Sequence, residues 1–325
     1  MPHRILVIGA SLGGWDALPE LVSGLPSDLN AAVFVVLHMS PGGPSYLADR
    51  LNSLGRLPAA SAADGEEIQP RRVYVAVPDR HLMLESGRVR LSRGPRESHA
   101  RPSIDVLFRS AAYVGGPRVI GIVLTGMLDD GTAGLWAIKD RGGIAIVQSP
   151  TEARYPSMPL SALKHVRVDH ALQVAEMPRI LSALIAQPLE GEIVLPPNEK
   201  LEIENRIALE DNAIEVGARS LGSPSVFTCP ECHGSMVAIN DGSIRRFRCH
   251  TGHGFTEGSL SEKSLARVEE TLWSALAQME ERVTLLDEIK ANPPDPLLDD
   301  DATQSRQLAK RIRELLANRA FSGAQ

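Results

Sequence analysis

A glycine-rich turn near the start of the sequence could carry a nucleophile. The apolar run 4–8 leads directly into Gly9-Ala10-Ser11-Leu12-Gly13-Gly14, which contains a Gly-x-Ser-x-Gly pattern. In such a pattern a buried strand turns sharply into a helix and presents the serine hydroxyl at the edge of a sheet, where it can attack a carbonyl carbon. Glycines suit this turn because a Cβ would be crowded or strained there. Ser11 is therefore our candidate nucleophile.

The same turn could instead begin a dinucleotide-binding fold, whose fingerprint is Gly-x-Gly-x-x-Gly. Ser11 stands where the middle glycine of that fingerprint is expected, between Gly9 and Gly14. The second apolar run, 31–37, ends in His38 and not in the acidic residue that would bind a ribose. A histidine at this position suits a general base, so we favour the serine interpretation and keep nucleotide binding as an alternative.

A serine nucleophile needs a base, an acid that orients the base, and hydrogen-bond donors for the oxyanion. His38 follows one predicted strand, and two adjacent aspartates, the second of which is Asp130, lie in a glycine-bounded loop after the predicted strand 119–124. The carboxyl ends of parallel strands meet at one edge of a sheet, so these side chains can approach Ser11. Alternatively, His38 is a buried core histidine and Asp130 caps a helix that begins near Thr132. The three residues together favour a Ser-His-Asp triad.

Apolar, strand-like runs alternate with amphipathic segments between residues 4 and 187. Near-continuous runs of valine, isoleucine and leucine between helices are typical of a parallel sheet that is covered on both faces. The predicted strands are 4–9, 31–37, 72–77, 119–124, 143–148 and 170–174. The predicted helices are 14–25, 44–54, 103–114, 132–141, 158–165 and 176–186. Residues 81–91 are typical of an inserted hairpin. The sequence therefore predicts an α/β fold with a doubly wound, mostly parallel sheet.

The three cysteines of the chain lie in one short segment that also contains histidines. Cys229 and Cys232 form a Cys-Pro-x-Cys knuckle, a short loop that can direct two thiolates at one metal ion. Cys249 and His253 are the natural second pair and would complete a tetrahedral site for zinc. A zinc ion with four protein ligands would be structural, so we predict no cofactor for catalysis. Three free buried cysteines are the alternative.

Composition and charge argue against several classes of protein. The chain has 325 residues, of which 43% are hydrophobic, and a formal net charge of −6, which argues against a general nucleic-acid or membrane-surface binder. No apolar stretch approaches the length of about 20 residues that is needed to span a membrane. The N-terminus does not resemble a signal peptide, and an odd, clustered set of cysteines suits a reducing compartment. We therefore expect a cytoplasmic protein without a nucleic-acid partner and without membrane insertion.

The sequence predicts four segments. They are a catalytic domain at 1–187, a proline-rich and acidic linker with some local structure at 188–225, a zinc-knuckle module at 226–258 and a helical tail at 259–325. In the tail, two series of apolar residues recur at three- and four-residue steps, typical of helical stripes, on either side of a proline-rich break at 293–296. The stripes comprise Leu265, Val268, Leu272, Leu276, Met279, Val283 and Leu286, and then Leu308, Ile312 and Leu315. We favour a helical hairpin, with homo-oligomerisation through the tail as the alternative.

Five motifs in a fixed order resemble the bacterial chemotaxis protein-glutamate methylesterases, the CheB family. The motifs are the 9–14 turn, His38-Met39, 101–108, 124–131 and Met158-Pro159. The resemblance covers about residues 3–187. It implies an α/β catalytic domain that hydrolyses γ-glutamyl methyl esters on chemoreceptors and releases methanol, and many family members also deamidate receptor glutamines.

The resemblance also implies roles for residues of this chain. The triad that it implies is Ser11, His38 and Asp130. The backbone N–H of Met127 would help to bind the oxyanion, and we predict that Leu12 and Arg101, which belong to matching motifs, also border the substrate. The receiver domain that usually precedes the catalytic domain in the family is absent before residue 4, so we expect no control by phosphorylation within the chain.

Several positions differ from the usual family pattern and keep a second function open. Leu12 replaces a small residue after the nucleophile, Leu128 replaces a glycine in the third motif, and Ala100 and Ser157 also differ. Leu12 and Leu128 favour a catalytically silent scaffold that binds a signalling partner through its tail, whereas the intact triad favours an esterase. We predict the esterase, with a methyl-accepting chemoreceptor or a similar signalling protein as its partner.

Overall fold

The structure is a computed structural model, and it describes residues 4–43, 46–189, 195–289 and 296–317. The strands are β1 (Arg4–Ala10), β2 (Ala31–Leu37), β3 (Ala59–Ser61), β4 (Arg72–Val75), β5 (His81–Glu85), β6 (Arg88–Ser92), β7 (Val119–Val123), β8 (Ile144–Gln148), β9 (His170–Leu172), β10 (Ser223–Thr228), β11 (Ser235–Asp241), β12 (Ile244–Cys249) and β13 (Gly254–Thr256). The helices are α1 (Gly14–Ser23), α2 (Leu47–Leu54), α3 (Ile104–Gly115), α4 (Thr132–Asp140), α5 (Ser157–His165), α6 (Met177–Ala186), α7 (Glu199–Ala208), α8 (Glu257–Ile289) and α9 (Pro296–Ala317).

One parallel sheet forms the centre of the α/β part. Its strands are arranged in the order β3-β4-β2-β1-β7-β8-β9, and every pair of neighbours is parallel. On one side of β1 the chain forms β2 and the edge strand β3 and then returns as β4 between them, and on the other side it continues outwards from β7 to β9. The predicted α/β fold with a mostly parallel sheet is therefore confirmed.

Side chains of the central strand β1 alternate between two hydrophobic cores, one on each face of the sheet. Ile5 and Val7 pack in the core that contains residues of α3, and Leu6 and Ile8 pack in the core that contains residues of α1. β1 and β2 are consequently buried along their whole length. Burial on both faces explains their unbroken apolar sequences and gives the loops that follow them a rigid base.

Each predicted strand and helix between residues 4 and 187 has a counterpart in the structure at similar bounds. The predicted hairpin is the antiparallel pair β5 and β6. The short edge strand β3 was not predicted, because two alanines and a serine have little strand preference. The helix predicted for 44–54 is described from Leu47, and residues 44 and 45 lie outside the described residues.

The segment 188–225, predicted to be a linker, contains the helix α7 and the beginning of β10. Leu201 and Ile207 on α7 are buried, and the Asn198 side chain accepts a hydrogen bond from the N–H of Leu201 (3.0 Å) at the start of the helix. The acidic composition suggested a solvated linker, but Glu204 of α7 is buried. The described residues from 195 to 225 therefore pack as part of the fold.

Glu204 belongs to a buried charge cluster, formed by Glu97, Arg109, Glu204, Arg246 and Arg248. Glu204 contacts Arg246 and Arg248 of β12 at 2.7 Å each. Glu97 contacts Arg109 of α3 at 2.6 Å and Arg248 at 2.8 Å. Buried charges need such partners because an unpaired charge carries a large desolvation penalty. The charge cluster thereby connects α3, α7 and β12.

The cysteines lie at the ends of a small antiparallel sheet, in the order β10-β11-β12-β13. This sheet and the parallel sheet belong to the same compact unit, Met1–Ser259, and the remaining residues, Leu260–Gln325, form a second unit. The first compact unit spans the first three predicted segments, which α7 and the charge cluster pack together.

The second unit is helical over its described residues. Ion pairs connect α9 to α8, with Arg306 at 2.5 Å from Asp287 and Arg282 at 3.1 Å from Asp301. The proline-rich break predicted between the two helices falls largely on residues 290–295, which lie outside the described residues. Among the described helices, none is both long and apolar enough to cross a membrane.

The apolar stripes of the tail are only partly buried. In the first stripe Leu276 and Leu286 are buried, whereas Leu265 is exposed. In the second stripe Leu308 and Leu315 are exposed. The buried residues of α9 are small ones, namely Ala302, Ser305 and Ala309. Homo-oligomerisation through the tail stays a prediction.

Candidate functional site

Three loops at the carboxyl edge of the parallel sheet carry the predicted catalytic side chains. Ser11 follows β1, His38 follows β2, and Asp130 lies in the loop between β7 and α4. These strands are neighbours in the order β2-β1-β7, and the winding of the chain reverses between β1 and β7. Ligands of open α/β sheets bind at such a switch point. The sheet topology therefore brings the three side chains together.

The three side chains form a continuous hydrogen-bonded line. Ser11 Oγ is 3.1 Å from His38 Nδ1, and His38 Nε2 is 2.7 Å from Asp130 Oδ2. When Nε2–H donates to the carboxylate, Nδ1 presents its lone pair to the Ser11 hydroxyl. In this arrangement the histidine can accept the serine proton while the carboxylate stabilises the resulting imidazolium.

Asp130 is held by the N-terminus of α3 as well as by His38. Its carboxylate accepts hydrogen bonds from the backbone N–H groups of Ile104 (2.8 Å) and Asp105 (3.0 Å) and from the Ser103 hydroxyl (3.0 Å). Burial would raise the pKa of Asp130, but the hydrogen bond and charge of His38 and the backbone donors lower this pKa below its ordinary value. Asp130 is therefore an ionised, oriented carboxylate.

The structural alternatives do not account for the contacts of these residues. The N-cap of α4 is Gly131, without a hydrogen bond from a side chain at the cap. Asp130 accepts a hydrogen bond from the Gly131 N–H (3.0 Å), but its other contacts face α3 and His38. The His38 side chain is 23% exposed and lines a cleft, so it is not a buried core histidine.

His81, at the start of β5, supports the site through a contact with Ser103, and no sequence motif indicated this role. Its Nδ1 accepts a hydrogen bond from the N–H of Ser103 (3.2 Å), and its Nε2 donates to the carbonyl of Pro95 (3.0 Å). Complete burial lowers the pKa of His81 to about 4. The neutral ring thus fixes Ser103, which in turn donates to Asp130.

Asp105 is a second buried acid beside the site that the sequence did not single out. Its carboxyl accepts a hydrogen bond from the N–H of Gly134 (2.6 Å). Burial and the negative charge of nearby Asp130 raise the pKa of Asp105 well above its ordinary value. Asp105 therefore favours its neutral form, which leaves the negative charge on Asp130.

The loop after β7 approaches the nucleophile closely. A Cβ added to Gly126 would lie 2.8 Å from Ser11 Cβ and would also collide with Met158. Among the described residues, the backbone N–H groups of Leu12 and Met127 donate to no other protein group. Two such donors beside a nucleophile are what a developing oxyanion requires. The oxyanion role of Met127 stays a prediction.

Ser11 and His38 line an open cleft of about 530 Å³. One wall carries Leu12 and Trp15, which add exposed apolar surface. Residues between 96 and 102 line another part of the cleft, and we call this segment the polar wall. Such a mixed, open cleft can admit a segment of another protein and fix it with a small number of polar contacts.

Comparison with known proteins identifies the family. The sequence model of the family described as CheB methylesterase matches residues 6–181. The chain belongs to the CheB methylesterase family. The match covers the parallel sheet and its helices, and this membership favours the serine interpretation of the turn after β1 over the nucleotide-binding alternative.

Individual CheB relatives agree with this assignment. A protein-glutamate methylesterase/protein-glutamine glutaminase of Geobacter metallireducens is 41% identical over 183 residues, which cover 55% of this chain and 50% of that protein. A putative enzyme of the same description from Leptospira interrogans is 35% identical, over 58% of this chain and 99% of that protein. The crystal structure of the Thermotoga maritima CheB methylesterase catalytic domain is 34% identical, with a TM-score of 0.55, and covers 57% of this chain and 100% of that one. The chain thus spans about half the length of the Geobacter relative.

Arg101 lies in one of the CheB-like motifs, but its guanidinium is largely engaged within the protein. It donates to Asp79 from Nε (3.0 Å) and Nη2 (2.6 Å) and to the carbonyls of Arg93 and Gly94 (2.9 Å each). Hydrogen bonds from Arg93 and Arg101 lower the pKa of Asp79 to about 2. Arg101 therefore anchors the polar wall of the cleft, and its contact with substrate stays a prediction.

The four predicted metal ligands lie together outside the region matched by the CheB family. The ligand atoms of Cys229, Cys232, Cys249 and His253 are all within 4.8 Å of one another. The sulfurs of Cys232 and Cys249 are 3.6 Å apart, and His253 Nδ1 is 3.5 Å from Cys249 Sγ and 3.7 Å from Cys229 Sγ. Tetrahedral ligands at zinc are about 3.6–3.8 Å apart, given Zn–S of about 2.3 Å and Zn–N of about 2.0–2.1 Å. The donor set fits zinc.

The groups around the four predicted metal ligands also suit thiolates. The backbone N–H of Glu231 donates to Cys229 Sγ (3.4 Å), and the Thr251 hydroxyl lies 3.0 Å from the sulfurs of Cys232 and Cys249. Donors of this kind stabilise the negative charge of ligating sulfurs and fix their orientation. The four residues form what we call the cysteine cluster.

Proposed function

We propose that this chain hydrolyses the γ-methyl esters of glutamate residues on a methyl-accepting chemoreceptor or a similar signalling protein. The observation that carries the proposal is the hydrogen-bonded line from Ser11 through His38 to Asp130. Membership of the CheB methylesterase family supports the choice of substrate, as do relatives named protein-glutamate methylesterase/protein-glutamine glutaminase. Deamidation of glutamine is a second reaction of the same kind, because it also cleaves an acyl bond at the side-chain carbonyl carbon.

The first half-reaction forms a covalent glutamyl-enzyme. Ser11 Oγ attacks the ester carbonyl carbon while His38 Nδ1 accepts the hydroxyl proton, and the carbonyl electron pair moves onto its oxygen. The backbone N–H groups of Met127 and Leu12 stabilise this oxyanion. When the intermediate collapses, the bond to the methoxy group breaks, and His38 returns the proton so that methanol leaves.

The second half-reaction releases the product and regenerates the serine. A water molecule from the open cleft attacks the glutamyl-serine ester while His38 accepts one of its protons. Collapse of the second tetrahedral intermediate breaks the bond to Ser11 Oγ, which recovers its proton from His38. Throughout, Asp130 holds the imidazole in one tautomer and offsets its positive charge. The product is a free glutamate side chain.

Methanol release from a carboxyl-methylated receptor tests this proposal. The wild-type chain should release methanol, and Ser11→Ala should slow the release by about a thousandfold or more, because the covalent route is lost. Ser53→Ala is the matched control, since the Ser53 hydroxyl bonds to the carbonyl of Arg50 on the exposed helix α2. If the wild type binds the receptor but releases no methanol, the silent scaffold is the better description.

We also propose that the cysteine cluster binds one structural zinc ion and that catalysis itself uses no cofactor. When bound, the ion would cross-link the knuckle at Cys229 and Cys232 to the end of β12 and to His253, which directly precedes β13. Elemental analysis of the purified chain should find about one zinc per chain, as four protein ligands imply. Cys229→Ser should lower this ratio. A folded wild-type protein that contains no metal would contradict the proposal.

A further inference from the structure

The polar wall of the cleft is hydrogen-bonded to the small sheet that carries the cysteine cluster. The N–H of Ser98 donates to the carbonyl of Gly254 (2.8 Å), and the N–H of Gly254 donates to the carbonyl of Arg96 (3.2 Å). Gly254 is the first residue of β13 and directly follows the proposed ligand His253. The wall thus extends the small sheet by one short, strand-like segment at residues 96–98.

The backbone of this wall adopts a conformation that needs outside support. Ser98 and His99 are consecutive residues with positive φ, 46° and 66°. Left-handed backbone is unfavourable for residues other than glycine and persists where surrounding contacts hold it. For His99 those contacts are a hydrogen bond from Nε2 to the carbonyl of Ser259 (3.0 Å), packing against the Phe255 ring and a distance of 3.5 Å to Glu231 within the knuckle.

The charge cluster anchors the same wall from inside. Glu97, between Arg96 and Ser98, forms a buried ion pair with Arg248 (2.8 Å). Arg248 directly precedes the proposed ligand Cys249 on β12, and it also donates to the carbonyl of Gly252 (2.7 Å) in the turn before His253. The wall and the metal-binding turn therefore share a buried side chain.

A second contact reaches the loop that carries Asp130. The hydroxyl of Thr256, at the end of β13, donates to Asp129 Oδ1 (2.8 Å). Asp129 is adjacent to Asp130 and lies two residues after Met127, whose N–H is our proposed oxyanion donor. The small sheet therefore contacts the site at two places, the wall at 96–99 and the loop at 127–130.

We propose that the cysteine cluster, with its metal bound, clamps both of these segments in their working positions, so that esterase activity depends on a metal that never touches the substrate. Thr256 is a positioning residue in this proposal, acting through Asp129 on the loop that holds Met127 and Asp130. The inference rests on the proposed esterase function and adds a control to it. When the metal is removed, the wall at 96–99 should lose its ordered conformation first, and esterase activity should fall with it.

Metal removal with two readouts is the first test. Zinc is stripped from the full chain with a chelator under reducing conditions, and amide hydrogen exchange and ester hydrolysis are both measured before and after zinc is restored. Exchange at the Ser98 amide should accelerate by about tenfold or more, while β1 amides such as that of Ile8 stay protected as an internal reference. Hydrolysis should fall in parallel and return with zinc. Unchanged exchange at Ser98 and unchanged hydrolysis would overturn the proposal.

Substitution of Thr256 is the second test and leaves the proposed metal ligands in place. Thr256→Val should lower kcat by about tenfold with little change in KM, because a displaced oxyanion loop weakens an interaction made in the transition state. Thr256→Ser should restore kcat. Thr271→Val is the matched control, because the Thr271 hydroxyl bonds to the carbonyl of Arg267 within α8. A Thr256→Val variant that retains zinc and wild-type kcat would overturn the proposal, even if stripped protein unfolds completely.

The two proposals fail in different ways. If zinc-loaded wild type hydrolyses no ester, the proposed function fails, whereas the response of the Ser98 amide to zinc still decides whether the cluster holds the wall. If hydrolysis is normal but insensitive to zinc and to Thr256→Val, the clamp fails and the esterase stands.

Discussion

Asp130 and Asp105 lie close together in the protein interior, yet their surroundings act on them in opposite directions. His38 and the N-terminus of α3 lower the pKa of Asp130, whereas burial and the charge of Asp130 raise the pKa of Asp105. Two ionised carboxylates so close together would repel each other in a poorly solvated site. Asp105 therefore favours its neutral form because it is buried beside the ionised Asp130.

The opposite pKa shifts of Asp130 and Asp105 predict how Asp105→Asn changes stability with pH. The pKa of Asp105 is higher in the folded than in the unfolded chain, where it is about 3.9, so its stabilising contribution is complete below that value and is lost as pH rises through the folded pKa. Asparagine cannot ionise but keeps an acceptor for the Gly134 N–H. Relative to wild type, the variant should gain about 1.4 kcal/mol of unfolding free energy per unit by which the pKa is raised, once the pH exceeds the folded pKa.

Urea denaturation at several pH values from about 4 upwards measures the effect, because the unfolded pKa of an aspartate is about 3.9. Asp49→Asn, on the exposed face of α2, is the control for replacing a carboxyl with an amide. A pH-independent difference for Asp105→Asn would mean that Asp105 is not neutral in the folded chain.

At the scale of elements, the loop after β7 is fastened to the turn after β1. The N–H of Ser11 donates to the carbonyl of Thr125 (3.0 Å), and the Thr125 hydroxyl donates to the carbonyl of Leu12 (3.0 Å). Gly126 is the next residue, and a side chain at this position would collide with Ser11. The position of the nucleophile is thus set by two loops that contact each other directly.

Gly126→Ala should therefore impair catalysis. The added Cβ would lie 2.8 Å from Ser11 Cβ and would push the nucleophile out of line with His38. Displacements of about 1 Å can cost about a hundredfold in rate, so we expect kcat/KM to fall by about ten- to a hundredfold. Hydrolysis assays with purified variants measure this loss.

Gly42→Ala is the control for that substitution, because a Cβ at Gly42 meets nothing within 4 Å. Its activity should match the wild type. If Gly126→Ala is as active as Gly42→Ala, the loop after β7 does not fix Ser11.

The approach of Ser11, His38 and Asp130 could be predicted because each residue follows an apolar strand, and the carboxyl ends of strands converge in a parallel sheet. The residues that support the site could not be predicted from the sequence. His81 sits in a short strand with no periodic signal, and its hydrogen bonds go to residues that become neighbours through folding. Glu204 looked like part of a solvated acidic linker because its arginine partners lie about 40 residues further along the chain.

At the scale of the whole molecule, the charge cluster ties the α/β part to the helix and the small sheet that follow it. The three arginines place positive charge around Glu204, and although burial would raise the pKa of Glu204, the charges of Arg246, Arg109 and Arg248 lower it well below its ordinary value. Its stabilising contribution is consequently present above the unfolded pKa and is lost as pH falls through the folded pKa.

Glu204→Gln should destabilise the chain by about 3–5 kcal/mol at neutral pH, because Arg109, Arg246 and Arg248 then have only Glu97 and Asp241 as buried counter-charges. Urea denaturation measures the change. The matched control is Asp211→Asn, which removes an exposed ion pair with Arg206 of the same helix (2.8 Å) and should cost less than about 1 kcal/mol. Equal losses for the two variants would show that the charge cluster does not stabilise the fold.

The charge cluster also bears on how this chain can diverge from its relatives. Glu97 and Arg109 lie within the region shared with the CheB family, whereas Glu204, Arg246 and Arg248 lie beyond it. A recombinant that exchanged the shared region alone for that of a relative would lose the ion pairs of Arg248 with Glu97 and of Glu204 with Arg109 unless the donor carried the same residues. The boundary at which the family resemblance ends is therefore a poor crossover point for domain shuffling, and the two parts should be inherited and engineered as one unit.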